Sequence, residues 1–221
     1  MQVLGIDFHK TYLPVAQMAS FHSILAIAAC RDWEIEAFDF NLAYLNGILD
    51  DDEEIYMEEP PSYKTGGDKV KRLCKALYGL KQAGCKWYDT LMTTLLNLGF
   101  QVSSADPGVF TTQAGPELLV LAVHVDNCIL TGSSARLINE YKGKLNKKYA
   151  LTNLGPVHWL LGIKVMRNRR ECTISLSQSA YIDTILTCFS LTDAKPADTP
   201  MIPGATYSKK DCRPPHRKLH T

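Results

Sequence analysis

Two apolar runs parted by a carboxylate constrain this chain more than anything else in it. In "LLVLAVHVDNCILTG" (118–132), Asp126 and Asn127 stand side by side amid residues suited to a buried strand. An isolated carboxylate is expensive to bury, so it requires a partner, a turn or a metal. The runs "LLVLAVHV" and "CILTG" therefore read as the two arms of a β-hairpin with the polar pair at its turn.

Around that hairpin the hydrophobic period changes repeatedly. Residues 18–30, "MASFHSILAIAAC", form an apolar helix, and "WEIEAFDFN" (33–41) alternates as a half-buried strand ending near Asp39. "LDDDEEIYMEEPPSYKTGGDK" (49–69) is polar and broken by Pro60, Pro61, Gly66 and Gly67, which marks an exposed excursion. Residues 83–100 place Trp87, Leu91, Leu95 and Leu98 on one helical face, with Gly99 as the stop. Residues 133–150 form an amphipathic helix that begins at a serine and carries Leu137, Ile138, Tyr141 and Leu145 on one face. Residues 159–178 predict a second hairpin turning at Asn168 to Arg170, and a last helix follows with Ser177 as its N-cap. The order helix, strand, helix, hairpin, helix, hairpin, helix predicts an α+β domain with an antiparallel sheet.

A chain of 221 residues can bury a substantial core, and 46% hydrophobic with 21% charged residues is ordinary globular composition. No apolar run is long enough to span a membrane and no secretory signal opens the chain, so no membrane partner is expected. Seven scattered cysteines without a C-x-x-C pair argue against a zinc site and for a reducing, intracellular compartment. The net charge of +1 hides an asymmetry: residues 31–60 hold eleven acids and one base, whereas residues 61–100 hold seven bases and two acids. Opposed clusters of this kind could hold cations and phosphates together, or could simply be solvated faces of opposite sign.

Asp39 ends one expected strand and Asp126 tops the hairpin. If those strands are neighbours, two carboxylates distant in sequence meet at the rim of one sheet. Hard divalent cations favour such oxygen sets, and two ions about 4 Å apart can bind both the attacking and leaving oxygens of a phosphoryl transfer. Aspartates at strand ends also serve as turn formers, so spacing alone leaves both roles open.

The phrases "GIDFHKTYLPVA", "FDFNLAYLNGILDDDEEIYMEEPPSY", "CKALYGLKQAGCKWY", "ADPGVF", "LAVHVDNCILTGSS", "LGPVHWLLGIKV" and "LSQSAYIDTIL" occur in that order. From about Gln2 to Met201 the chain resembles the reverse transcriptase of Ty1/copia-type retrotransposons. The resemblance implies a right-hand polymerase: a palm with an antiparallel sheet and helices on one face, partial fingers, and the start of a thumb. Palm and partial fingers are expected over residues 1–158. A primer-holding hairpin and the thumb's start are expected over 159–200, and a disordered or non-homologous tail over 201–221. Asp39 and Asp126 are then the metal-binding aspartates, for Mg²⁺ or Mn²⁺. Phe40 lends backbone to the triphosphate. Tyr44 stacks under the incoming sugar and excludes a 2′-OH, although a core aromatic is the alternative. Tyr78, Gly79, Lys81 and Gln82, from "YGLKQ", shape the nucleotide pocket and contact the template. Leu161 and Gly162, in the "LLGIKV" strand, hold the primer end. Implied partners are an RNA or DNA template with primer, dNTPs, and the integrase and RNase H parts of a polyprotein. Implied surroundings are a cytoplasmic particle or the nucleus.

Several residues depart from the family pattern. Asn127 stands where the family carries a second aspartate, and asparagine offers a metal a neutral oxygen but no charge. His22 replaces an arginine and Gly84 a proline, while His124 is read as an ordinary strand side chain. The chain opens after the point where the N-terminal fingers strands lie in the family, its thumb is short, and no RNase H phrase follows. A truncated copy, impaired as a polymerase, is therefore expected; the alternative is a non-catalytic remnant that at most binds nucleic acid. The tail "KKDCRPPHRKLH" is read as a non-homologous terminus rather than a nucleic-acid arm.

Overall fold

The computed structural model describes residues 2, 5, 8, 10–51, 53–63, 69–200, 204–206 and 208. The chain forms two compact units, Met1–Gln178 and Ser179–Thr221. In the first, α1 (Met18–Cys30) leads into β1 (Glu34–Phe40) and a 3-10 turn at Ala43–Asn46. A short ribbon of β2 (Tyr56–Glu58) and β3 (Val70–Arg72) precedes α2 (Ala83–Asn97). Strands β4 (Gln101–Val102), β5 (Val109–Ala114), β6 (Glu117–His124) and β7 (Asn127–Gly132) follow, then α3 (Ala135–Lys148) and β8 (Leu151–Pro156). The unit closes with β9 (Trp159–Leu160), β10 (Ile163–Asn168) and β11 (Thr173–Ser177). The second unit holds α4 (Ser179–Cys188), none of whose residues is buried. No described helix is long and apolar enough to cross a membrane.

The main sheet is antiparallel, in the order β4-β5-β6-β7-β1-β8. Strand alternation divides its side chains between two cores. Phe38, Phe40, Phe110, Leu119, Leu121 and Leu130 point toward the apolar faces of α2 and α3. Ile35, Val109, Ala122 and Ile129 point the other way, toward α1 and the small β9–β11 sheet. Helices were expected on one face only; α1 covers the second. With both faces covered, β6 and β7 must be apolar at consecutive positions, which is why residues 118–123 read as an unbroken run rather than an alternation. Each fully buried Leu or Phe here stabilises the fold by about 1.5–3 kcal/mol.

The amphipathic reading of α3 holds: Leu137, Ile138, Tyr141 and Leu145 are buried, and Ser134 accepts a hydrogen bond from the Leu137 N–H as N-cap. Helix α1 has no side-chain cap of its own at Gln17. Asp106 supplies one from 89 residues away, its Oδ2 accepting from the Gln17 N–H at 2.8 Å and from the Ser20 hydroxyl. Burial pushes the Asp106 carboxyl up. The Ser20 hydroxyl and the N–H groups of Gln17 and Gly108 outweigh that and hold it below the ordinary carboxylate range.

Three boundaries differ from expectation. The β10–β11 turn lies at residues 169–172, with the Asn168 side chain accepting the N–H groups of Arg170 and Glu171. Helix α4 starts at Ser179, two residues beyond Ser177, which ends β11. "LLGIKV" is a hairpin rather than one strand: Leu161 and Gly162, with φ of 50° and 79°, form the tight turn between β9 and β10. The two compact units divide at 178/179, and Leu160 and Val165 are buried in the second core with α1. The acidic and basic stretches meet as ion pairs, Lys86 with Asp50 and Glu53 and Lys71 with Glu59, beside and within the exposed ribbon. The 201–221 tail lies almost wholly outside the described residues.

Candidate active site

Strand β1 lies beside β7 with Asp39 directly opposite Asn127, and Asn127 in turn faces His124 across the hairpin. The two turn residues are therefore Val125 and Asp126, one position earlier than the expected Asp126–Asn127 pair. Asn127 belongs to the strand, on the face it shares with Ile129, and Asp39 lies on that same face. Val125 takes φ of 63°, a conformation that a β-branched side chain rarely adopts. Both turn carbonyls are held. The Trp87 indole N–H donates to Val125 O at 2.8 Å, and the Phe40 N–H donates to Asp126 O at 3.0 Å. The Cys128 thiol also approaches Asp126 O, at 3.7 Å.

This geometry brings two half-buried carboxylates to one tip. Asp39 Oδ1 is buried with no hydrogen-bond partner. Burial, and secondarily the charge of Asp126, raises the Asp39 pKa above the ordinary value. The same surroundings, burial first and then Asp39 and Asp126, push the wholly buried Cys128 thiol well up. Tyr44 is raised by burial, by Asp126 and by Tyr78. Asn127 relieves part of this repulsion, its Nδ2 donating to Asp126 Oδ1 at 2.9 Å. No group of three or more His, Cys, Asp or Glu side chains among the described residues could hold a metal. Asp39, Asp126 and the Asn127 amide are an all-oxygen donor set, and the orphaned Asp39 oxygen is the atom a hard cation would satisfy.

A carboxylate whose folded pKa is raised stabilises the fold only while protonated, and that contribution is lost as pH rises through the folded value. Asp39→Asn, which removes the charge and keeps the shape, is therefore expected to make the metal-free protein more stable at neutral pH. The advantage should shrink in the acid range, where Asp39 is itself neutral. Denaturant unfolding of both proteins at the two pH values measures this.

The other expected residues divide into two sets. The Tyr44 and Tyr78 rings lie 4.9 Å apart at 50°, with Tyr44 half-buried between two clusters and Tyr78 exposed. Gly79 has φ of 99°, which explains a glycine in that turn. The Lys81 N–H and the buried Gln82 side chain both bond the Gln2 amide. Phe40 differs from expectation. Its ring is buried among Phe38, Trp87 and Tyr149, and its N–H is engaged by Asp126 O, so that amide is not free for a triphosphate. Leu161 and Gly162 form their turn against the second core, on the sheet face that carries Asp39.

The sequence matches the reverse transcriptase (RNA-dependent DNA polymerase) family over residues 1–203. The chain belongs to that family. It is 37% identical over 214 residues to the retrovirus-related Pol polyprotein from transposon TNT 1-94 of Nicotiana tabacum, covering 96% of this chain and 16% of that protein. It is 35% identical over 206 residues to the corresponding polyprotein from transposon RE1 of Arabidopsis thaliana, covering 92% of this chain and 14% of the relative. The chain thus spans a small fraction of the polyproteins it matches, which come from Ty1/copia-type transposons.

Within this reverse transcriptase domain, three contributors to the site went unread in the sequence: Trp87, Val125 and Cys128. Trp87 carried a helical-spacing signal that marked it only as core. Nothing in the sequence announces that its N–H reaches the hairpin tip. Cys128 could have been found, since strand alternation places it behind the turn, directly opposite Phe38.

Proposed function

We propose that this chain is the palm of an RNA-directed DNA polymerase of the Ty1/copia type, with its metal site degenerate at Asn127. One observation carries the reading: the β1–β7 register brings Asp39 to the tip that bears Asp126 and leaves Asp39 Oδ1 buried and unpaired. Asp39 and Asp126 are the residues that would hold Mg²⁺ or Mn²⁺. Such ions, when bound, supply charge stabilisation at the attacking and leaving oxygens of nucleotidyl transfer. Tyr44, backed by Tyr78, packs beside that site and limits the room at the incoming sugar. Gly79, Lys81 and Gln82 border the nucleotide, and the Leu161–Gly162 turn holds the primer end. The β2–β3 ribbon belongs to the fingers and α4 to the thumb. The substrates are dNTPs on a primed RNA or DNA template inside the cell, and the other parts of a Pol polyprotein are the natural partners.

The Asn127 Nδ2 contact on Asp126 Oδ1 favours a second reading, a remnant that binds primer–template without extending it. The contact occupies a carboxylate oxygen, and asparagine brings no charge of its own to the cluster. Primer extension on an RNA template with Mn²⁺ separates the two. Extension by the unaltered chain that disappears in Asp126→Ala supports an impaired polymerase. Salt-sensitive binding with no extension supports the remnant.

A further inference from the structure

We infer that Trp87 is a positioning residue whose indole locks the hairpin tip in its strained form and so aims Asp126; its catalytic meaning rests on the reading of Asp126 proposed above. A positive φ is unfavourable for any residue with a Cβ and worst for a β-branched one, yet Val125 sits at 63°. A strained conformation persists only where its surroundings over-determine it. The Phe40 N–H and the Cys128 thiol both bear on the Asp126 carbonyl. The Val125 carbonyl, on the strained residue itself, is bonded by the Trp87 indole at 2.8 Å.

The donor is rigid. Trp87 is 1% exposed, and its ring meets Phe40 edge-on at 5.1 Å and Tyr149 at 5.4 Å. Phe40 and Tyr149 are themselves in edge contact, so two mutually braced rings fix the indole plane. A buried indole N–H needs an acceptor. If Val125 relaxed to an ordinary φ, its carbonyl would turn and leave that N–H unsatisfied, so the strain and the hydrogen bond stand or fall together. Helix α2 thereby sets the direction of a carboxylate on the β6–β7 hairpin.

The test uses Trp87→Phe, which keeps a ring and removes the donor, and Val125→Gly, which removes the steric cost of the positive φ. Hydrogen exchange at the Phe40 amide reports on the Asp126 carbonyl it bonds, with the Tyr141 amide in α3 as control. Trp87→Phe should speed Phe40 exchange by about tenfold, the scale of one buried hydrogen bond, and leave Tyr141 unchanged. Adding Val125→Gly should restore slow exchange, which a mere packing defect at residue 87 would not allow. Unchanged Phe40 exchange in Trp87→Phe, or acceleration that Val125→Gly does not reverse, overturns the inference.

Should Trp87→Phe not fold, the indole proton of the unaltered chain decides. Exchange slower than that of half-exposed Trp159 supports the lock, and equal exchange overturns it. Mn²⁺ affinity read on the same variants keeps the two claims apart. Lack of Mn²⁺ binding in every variant defeats the metal reading of Asp126, while the exchange result still judges the lock.

Discussion

Asn127→Asp is expected to raise primer extension by about 10²–10³-fold, the range seen when one preorganised charge-stabilising group is added or removed. Residue 127 stands directly across from Asp39, whereas Asp126 lies on the turn. The replacement therefore sets a third carboxylate against the other two, where a pair of divalent ions needs it. It also removes the Nδ2 donor from Asp126 Oδ1, freeing that oxygen. The same change carries a cost. Like charges directly opposite on neighbouring strands repel, and Asp39 is already raised by burial and by Asp126. The metal-free Asn127→Asp protein should accordingly be less stable than the unaltered chain, with Mn²⁺ restoring the difference. Steady-state extension rates and unfolding with and without Mn²⁺ check both sides. A gain in stability without metal would show that the carboxylates are not in repulsive contact.

Gly108→Ala is expected to destabilise the fold by at least about 3 kcal/mol, beyond ordinary overpacking. A Cβ built on Gly108 would lie 2.1 Å from Ala16 N and 2.5 Å from both Ala16 Cα and the Val15 carbonyl carbon. These are backbone atoms, so no side chain can swing aside. The clash falls where three segments are stitched together: Ala16 N–H donates to Val123 O at 2.8 Å, Val123 N–H donates to Gly108 O at 2.9 Å, and Asp106 caps α1. Separating them strips the α1 cap and opens the second core along β6. Denaturant unfolding should show a lowered midpoint, whereas Gly143→Ala, at an α3 glycine with open space around it, should be neutral or stabilising. Equal behaviour of the two variants would mean that Gly108 is not a close-approach position.

The two hairpin arms and α3 could be read from the residues because each carries a local periodic signal or a charge that must be explained. The second helical face could not be assigned that way. A continuous apolar run at 118–123 is the trace of burial on both sides, but it looks the same whichever element supplies the cover. Strand β8 was missed for a physical reason: "LTNLGP" is polar, holds Gly155 and Pro156, and lies at the sheet edge, where a strand needs little apolar content. Its partner register shifts between Ala37 and Phe38, which further blurs any alternation. Asp106 carries no local signal of its role, because its capping depends on a helix 89 residues earlier. At the site, residue types pointed to Asp39 and Asp126, and the family resemblance to Tyr44. The one-residue displacement of the turn, which makes Asn127 rather than Asp126 the neighbour of Asp39, exists only in the pairing.

Thermal unfolding of the unaltered chain and of Asp39→Asn, each with and without millimolar Mn²⁺, tests most directly whether Asp39 is held ready for a cation. The account predicts that Asp39→Asn is the more stable protein without metal, and that Mn²⁺ raises the Tm of the unaltered chain but not that of Asp39→Asn. Equal shifts in both proteins, or a metal-free Asp39→Asn protein that is less stable than the unaltered chain, would contradict it.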